Sequence, residues 1–254
     1  MGQLTDARHL DPAWLTDHLA EERREADLLG EIREAIFGAQ DGVASILIVV
    51  ITVATATANS YAVLIAGIAA ALAEVISMAA GEYMSSRSQR EIFLAQIERE
   101  REEVRDRPDE SLAEVAMLLQ LEGLPEDAAK RVATELARNP NVLLTTMVAK
   151  ELGIVVEAGP SALQGAFILA LTFAVAALIP LTPFFILPVG TAVVVAITLS
   201  AIAMFALGVV KARLTQRNPI VSGLEIVALV AAASAGGFIT GTLLPRALGF
   251  FAAG

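Results

Sequence analysis

The sequence contains no cysteine. Disulfides, thiolate metal sites and cysteine nucleophiles are therefore excluded together, while the compartment stays open, because a membrane protein needs no disulfide. Histidine is nearly as scarce: His9 and His18 stand apart in a polar N-terminal stretch and form no obvious ligand pair. Basic charge is short too, with 18 Lys and Arg against 28 Asp and Glu, and the net charge is −10. A chain with a pI near 4.7 and no basic cluster is not built to hold nucleic acid. No nucleophile has an adjacent base, and no GxxxxGK[ST] phosphate loop occurs, so nothing points to an enzyme. The opening MGQLTDARHLDPAW has no basic region ahead of a short apolar core, so no cleavable leader is expected. Strand alternation and turns at strand spacing are missing throughout.

What is present is apolar length. Hydrophobic residues make up 56% of 254, and the mean hydropathy is +0.64. Charge falls mostly in two blocks, with long uncharged runs between and after them. The expected fold is an all-α membrane protein with five transmembrane helices and a cytosolic helical insert between helices 2 and 3.

Residues 1–34 read as an N-terminal amphipathic helix opened by Asp11-Pro12, with Trp14, Leu15, Leu19, Leu28, Leu29 and Ile32 on its apolar side. Few basic residues face outward there, which favours packing on a neighbouring subunit over lying on lipid. Residues 35–83 hold the first two spans, joined by a short turn at Asn59-Ser60. The second span opens a helix running from about Ser60 to Asp106, apolar in its first half and charged in its second. Residues 84–160 form the insert. Arg107-Pro108 ends the long helix, SLAE at Ser111–Glu114 reads as a capping box, and Gly123, Pro125 and Asn139-Pro140 punctuate further short helices. Residues 161–254 carry spans at about 162–181, 187–209 and 220–244.

Seventeen of the eighteen basic residues lie in residues 1–40, the insert and the 210–219 loop. The positive-inside tendency puts those segments in the cytosol and the C-terminus outside.

Ionisable groups in spans are costly and mark function by default. Glu74, Met78 and Glu82, at a spacing of four, share one stripe of the second span, and Asp41 and Ser45 share one stripe of the first. The short turn makes these spans antiparallel neighbours, so Asp41 and Glu82 are expected near one mouth. Carboxylates suit divalent ions, and a thioether favours iron(II) and heavier metals over magnesium. The competing reading is that Met78 packs while Asp41 and Glu82 reach to the interface. Glu225, close to a loop, reads as interfacial. In the insert, Glu98 and Glu102, Glu100 and Glu103, Glu110 and Glu114, and Met147 and Glu151 pair at helical spacing. Folded back as a bundle, these helices bring several carboxylates and Met147 to one point. The alternative is a solvated helix, with Arg99, Arg101 and Arg105 as ion-pair partners. Gly237 and Gly241 form a GxxxG pair in the last span.

The stretch DGxxS (Asp41, Gly42, Ser45), followed by SMAAGEYMSSRSQRE from Ser77 to Glu91, resembles the vacuolar iron transporter family, and the likeness covers about residues 30–250. That resemblance implies a homodimeric, proton-coupled exporter of iron(II), and of manganese(II) in some members, rather than an enzyme. Carried across, Asp41 and Met78 match the membrane pathway, while Glu100, Glu103, Glu110, Glu114, Met147 and Glu151 match the ligands of a cytosolic metal-binding insert. One departure stands out: Ala70 occupies the position of a pathway glutamate, and Glu74, one turn nearer, is the candidate to replace it. The ferritin-like module fused to some relatives has no room in residues 1–40. The expected partners are divalent metal (iron(II), manganese(II) or zinc(II)), protons, the bilayer and a second copy, with no other cofactor. A bacterial inner membrane is the expected location. A membrane-anchored sensor or scaffold that binds metal without moving it is the alternative function.

Overall fold

The computed structural model describes residues 11–153 and 161–247. Among them, all regular structure is helical: α1 Pro12–Thr57, α2 Ser60–Asp106, α3 Pro108–Leu121, α4 Glu126–Leu136, α5 Pro140–Glu151, α6 Ala162–Leu181, α7 Pro183–Ile186, α8 Val189–Leu214 and α9 Pro219–Ala247. Five of these, α1, α2, α6, α8 and α9, are long and apolar enough to cross a membrane. The chain divides into two compact units, one of residues 1–83 with 163–254 and one of residues 84–162.

The amphipathic N-terminal segment and the first span are one helix of 46 residues, not two elements. Asp11 starts it, its side chain accepting from the Ala13 N–H at 3.1 Å, with Pro12 in the first helical position. No proline follows until Pro108, and the intervening glycines cost helix stability without breaking the ladder. At about 1.5 Å per residue, α1 is roughly 69 Å long, twice what a ~30 Å hydrocarbon layer requires. Ala58 ends it in the left-handed region at φ 50°. Asn59 then caps α2, its side-chain oxygen accepting from the N–H groups of Tyr61 and Ala62 at 2.9 and 3.2 Å.

In the membrane unit α1 is the central element. Val43, Ile46, Leu47, Val50, Ile51 and Ala54 are all buried, covering a wide stripe of the helix. Inside lipid there is no hydrophobic drive between helices, so close approach of small residues does the packing. A Cβ on Gly42 would stand 2.6 Å from the Phe173 carbonyl oxygen of α6, and one on Gly237 of α9 would stand 2.9 Å from that of Ile48. Gly241 lies equally tight against Thr52 and Thr55, so the GxxxG pair of α9 is spent on α1. Helix α8 buries Ala192, Ala196, Ser200, Met204, Gly208 and Ala212, one residue per turn. Leu163, Phe167, Leu171, Val175 and Leu178 of α6 remain exposed, a surface suited to lipid tails.

The second unit is a small bundle. The end of α2 gives it Val104, α3 gives Val115, Ala116 and Leu119, α4 gives Ala129 and Ala133, and α5 gives Leu143, Leu144, Met147 and Val148. Gly123 closes α3 at φ 104°, with the Leu124 N–H reaching back to the Leu119 carbonyl. The capping box at Ser111 does not form. Pro108, whose fixed φ suits the first helical position, starts α3 three residues earlier. Ser111 is buried inside that helix, and its hydroxyl donates back to the Arg107 carbonyl at 3.3 Å. Glu114 is thereby released from capping. Helix α5 likewise begins at a proline, Pro140, with Asn139 as its cap.

Candidate metal-handling sites

Two sets of carboxylates stand out, one in each unit. In the membrane unit, Asp41 is half-buried on α1, close enough to Glu74 of α2 for the two charges to repel. Counting from the turn explains the pairing. Asp41 lies seventeen residues before Ala58 and Glu74 fifteen after Asn59, so antiparallel helices set them level. Glu82 lies eight residues beyond Glu74, roughly 12 Å farther along the axis. It does not share a level with Asp41, contrary to the expectation of a common mouth. Its carboxylate instead sits beside Gly165 of α6, with Oε1 3.8 Å from where a Cβ would be. Met78 is half-buried and packs against the membrane core. Ser45 spends its hydroxyl on the Asp41 carbonyl at 2.7 Å, the usual resort of a serine within a helix.

Helix α2 is unusual for its openness. Its most apolar window is 11% buried, against 39% in α1. Leu72 and Ile76 are 59% and 69% exposed, as lipid permits, but Glu74 and Ser77 are exposed with them. A carboxylate and a hydroxyl on a bare span would face hydrocarbon, where they are costly.

In the second unit, Glu100 and Glu103 of α2, Glu114 of α3 and Glu151 of α5 interact across three helices. Burial, then Glu151, Glu103 and Glu114, push the Glu100 carboxyl above the usual 4.5. Burial, then Glu151, Glu103 and Glu110, push Glu114 up as well, against a pull from Arg107. Arg107 holds Glu103 at 2.9 Å and Glu110 at 2.8 Å, so those two are partly neutralised and Glu110 stands at the rim. Glu100 is not: its Oε2 is buried with no hydrogen-bond partner. Two arginines of this helix pair with other acids of α2, Arg101 with Glu98 and Arg105 with Asp106, which leaves Glu100 without a cation. Among the described residues no three Asp, Glu or His side chains are drawn together in a ready-made metal site. Met147 is 0% exposed in the bundle core, one turn before Glu151 on the same face of α5.

Of the remaining candidates, His18 stacks on Trp14 at 4.7 Å and faces Glu22 at 3.2 Å, while His9 lies outside the described residues. Glu225 is exposed at the start of α9, in keeping with an interfacial group. Two features went unread in the sequence: the level pairing of Asp41 with Glu74, available by counting from the turn, and the orphaned oxygen of Glu100, which had no sequence signal.

Residues 32–242 match the VIT family, a stretch that takes in all five spans and the whole second unit. The chain belongs to the VIT family. Among curated proteins it is 34% identical over 223 residues to "Vacuolar iron transporter 1" of Eucalyptus grandis, covering 87% of this chain and 90% of that one. It is 31% identical over 208 residues to the protein of the same name from Tulipa gesneriana, 82% and 84% of the two chains. It is also 30% identical over 206 residues to "Vacuolar iron transporter" of Plasmodium falciparum, 77% and 76%. The VIT family consists of transporters, so this chain is a transporter of metal ions and not an enzyme. The first turns of α1, before residue 32, lie outside the family match.

Proposed function

We propose that this VIT family chain exports iron(II), and manganese(II) as a second cargo, from the cytosol in exchange for protons. The observation that carries the reading is Asp41 on α1 facing Glu74 on α2 inside apolar spans. Two carboxylates at one level, with Met78 one turn beyond Glu74, suit a divalent ion with some affinity for sulfur. Metal binding requires deprotonated ligands and so releases protons, which couples the two fluxes. Glu74 takes the role of the glutamate absent at Ala70, and Glu82 beside α6 serves the end of the path.

Glu100, Glu103, Glu110, Glu114 and Glu151, with Met147, collect the ion before it enters the membrane. Repulsion among the carboxylates and the orphaned Glu100 oxygen support this, because a cation between them relieves both. The domain reading follows: a leading helix in residues 1–34, spans in 35–83 and 161–254, and a metal-collecting domain in 84–160. The distribution of basic residues supports a cytosolic N-terminus and insert with the C-terminus outside. A bacterial plasma membrane has no support from the relatives, whose names speak of the vacuole.

The working unit is a homodimer joined through the open face of α2. Exposed Glu74 and Ser77 support that choice, since a second copy would cover groups that lipid cannot solvate. The decisive test is iron(II) flux in proteoliposomes carrying a proton gradient. Asp41→Ala and Met78→Ala should each abolish flux while metal binding outside the membrane survives. Undiminished flux in either variant would sink the pathway, and wild-type binding with no flux at all would favour a sensor.

A further inference from the structure

The turn between α8 and α9 carries a group of side chains that metal transport does not use. Gln216 turns the chain at φ 51°, and the Arg217 N–H donates back to the Ala212 carbonyl at 3.0 Å. Asn218 caps α9, its side-chain oxygen accepting from the Ile220 and Val221 N–H groups at 2.9 and 3.3 Å. Within this turn Arg217, Asn218, Val221, Ser222 and Glu225 line an open cavity of about 180 Å³. It lies in the turn that joins α8 and α9, two helices long and apolar enough to cross a membrane.

Of the polar lining groups, Asn218 is spent on its cap, while Arg217, Ser222 and Glu225 make no side-chain hydrogen bond or ion pair among the described residues. Arg217, Lys211 and Arg213 face no carboxylate among the described residues, as is also true of Arg90, Arg99, Arg131 and Arg246, so the cavity and not the missing ion pair sets this turn apart. Ser222 is only 3% exposed. Thr172, Thr198 and Thr242 turn their hydroxyls back onto their own helices, but the Ser222 hydroxyl has no such bond. Glu225, one turn on, has no ion pair either. A cavity offering a guanidinium, a buried hydroxyl and a carboxylate is wrong for a simple anion, which Glu225 would repel. It is equally wrong for a metal ion, which Arg217 would repel. It fits a ligand that carries a phosphate and a cationic N–H group a few ångströms apart.

We propose that this turn holds the headgroup of an amine-bearing phospholipid, with the phosphate on Arg217 and Ser222 and the primary ammonium on Glu225. The exposed side chains of Ile220, Val221 and Leu224 give the acyl chains an apolar surface beside the headgroup. Basic pockets at the ends of spans hold lipid phosphates, and Glu225 adds the carboxylate that an ammonium group requires.

Native mass spectrometry of the full chain in detergent, titrated with phosphatidylethanolamine, phosphatidylcholine and phosphatidylglycerol, tests this. Phosphatidylethanolamine should be retained in preference to phosphatidylcholine, whose quaternary ammonium has no N–H to give. Arg217→Ala should weaken that retention by roughly tenfold or more, the scale of a lost charged hydrogen bond. Glu225→Gln should erase the preference between the two zwitterionic lipids while phosphatidylglycerol binds as well or better. Arg217 and Glu225 are exposed, and unchanged thermal unfolding without lipid would show that their variants fold. Equal retention of phosphatidylethanolamine and phosphatidylcholine by the wild type, or indifference to Arg217→Ala, would overturn the proposal. Free phosphoethanolamine competing as well as the lipid would make a soluble phosphate ester the ligand and overturn the bilayer half.

Discussion

Gly42→Ala is the sharpest test of how α1 is held beside the pathway. The new Cβ would meet the Phe173 carbonyl oxygen at 2.6 Å, the Phe173 Cα at 3.1 Å and the Ala176 Cβ at 3.2 Å. Two of these are backbone atoms, which cannot swing aside as the end of a side chain could. Restoring ordinary contact at 3.4 Å requires α1 and α6 to part by about 0.8 Å at that level. Overpacking of this kind costs about 1–3 kcal/mol, and the better helix propensity of alanine returns at most about 1 kcal/mol. The net expectation is a loss of about 1–2 kcal/mol, read as a lower thermal midpoint in detergent. Because Asp41 is the preceding residue, the same displacement should cut iron(II) flux in proteoliposomes without changing metal affinity in the second unit. Gly236→Ala is the control. A Cβ there meets nothing within 4 Å, so alanine should leave stability level or raise it by up to about 1 kcal/mol. If Gly42→Ala and Gly236→Ala melted together, the backbone contact between α1 and α6 would be refuted.

Three further outcomes follow from the same geometry. The raised Glu100 and Glu114 groups stabilise the metal-free chain below their ordinary 4.5, and that contribution is lost as pH rises through their folded values. Hydrogen exchange at α3 and α5 should therefore quicken with rising pH beyond the intrinsic rate, less so in Glu100→Gln, and saturating iron(II) should remove the trend; a flat profile in the metal-free wild type would contradict the acidic cluster. Arg107→Gln frees Glu103 and Glu110, so calorimetry should find divalent-metal affinity up several-fold, with stability down by no more than about 1 kcal/mol for exposed pairs. Ser45→Ala removes a hydroxyl already spent on its own helix and should leave flux at the wild-type level, whereas a lost flux would make Ser45 a ligand.

Much of this architecture was legible because apolar length is a one-dimensional signal. The spans at 162–181 and 220–244 lie on α6 and α9, and the turn after Thr57 follows from a single break. Local punctuation was harder. SLAE has the letters of a capping box, yet a proline three residues earlier fixes the first helical φ and wins. Continuity of α1 was also hidden, because a change from polar to apolar composition reads as a boundary although no residue there stops a helix. For the sites, spacing put Glu74, Met78 and Glu82 on one stripe but could not say what each would meet. That depends on partners on other helices, far along the chain from the stripe itself, such as Gly165 beside Glu82 and Asp41 beside Glu74.

The bland account of an acid-rich helix, that it is simply solvated and ion-paired, can be weighed residue by residue. It holds for Glu91 with Arg87, for Glu98 with Arg101, for Glu126 with Lys130 and for Glu135 with Arg138. All four pairs are exposed and worth at most about 1 kcal/mol each. It fails at Glu100, whose burial costs energy, whose neighbours are acids and whose inner oxygen has no donor. It fails again at Asp41 and Glu74, where no lysine or arginine enters the span. Partly buried Asp41 and Glu100 weaken the fold as unpaired acids, and Glu74 does so wherever hydrocarbon covers its exposed side chain. Their survival in two unconnected settings, one inside apolar spans and one in a polar bundle, has a common physical reading. In the proposed function each is a cluster of negative charge that a divalent ion neutralises.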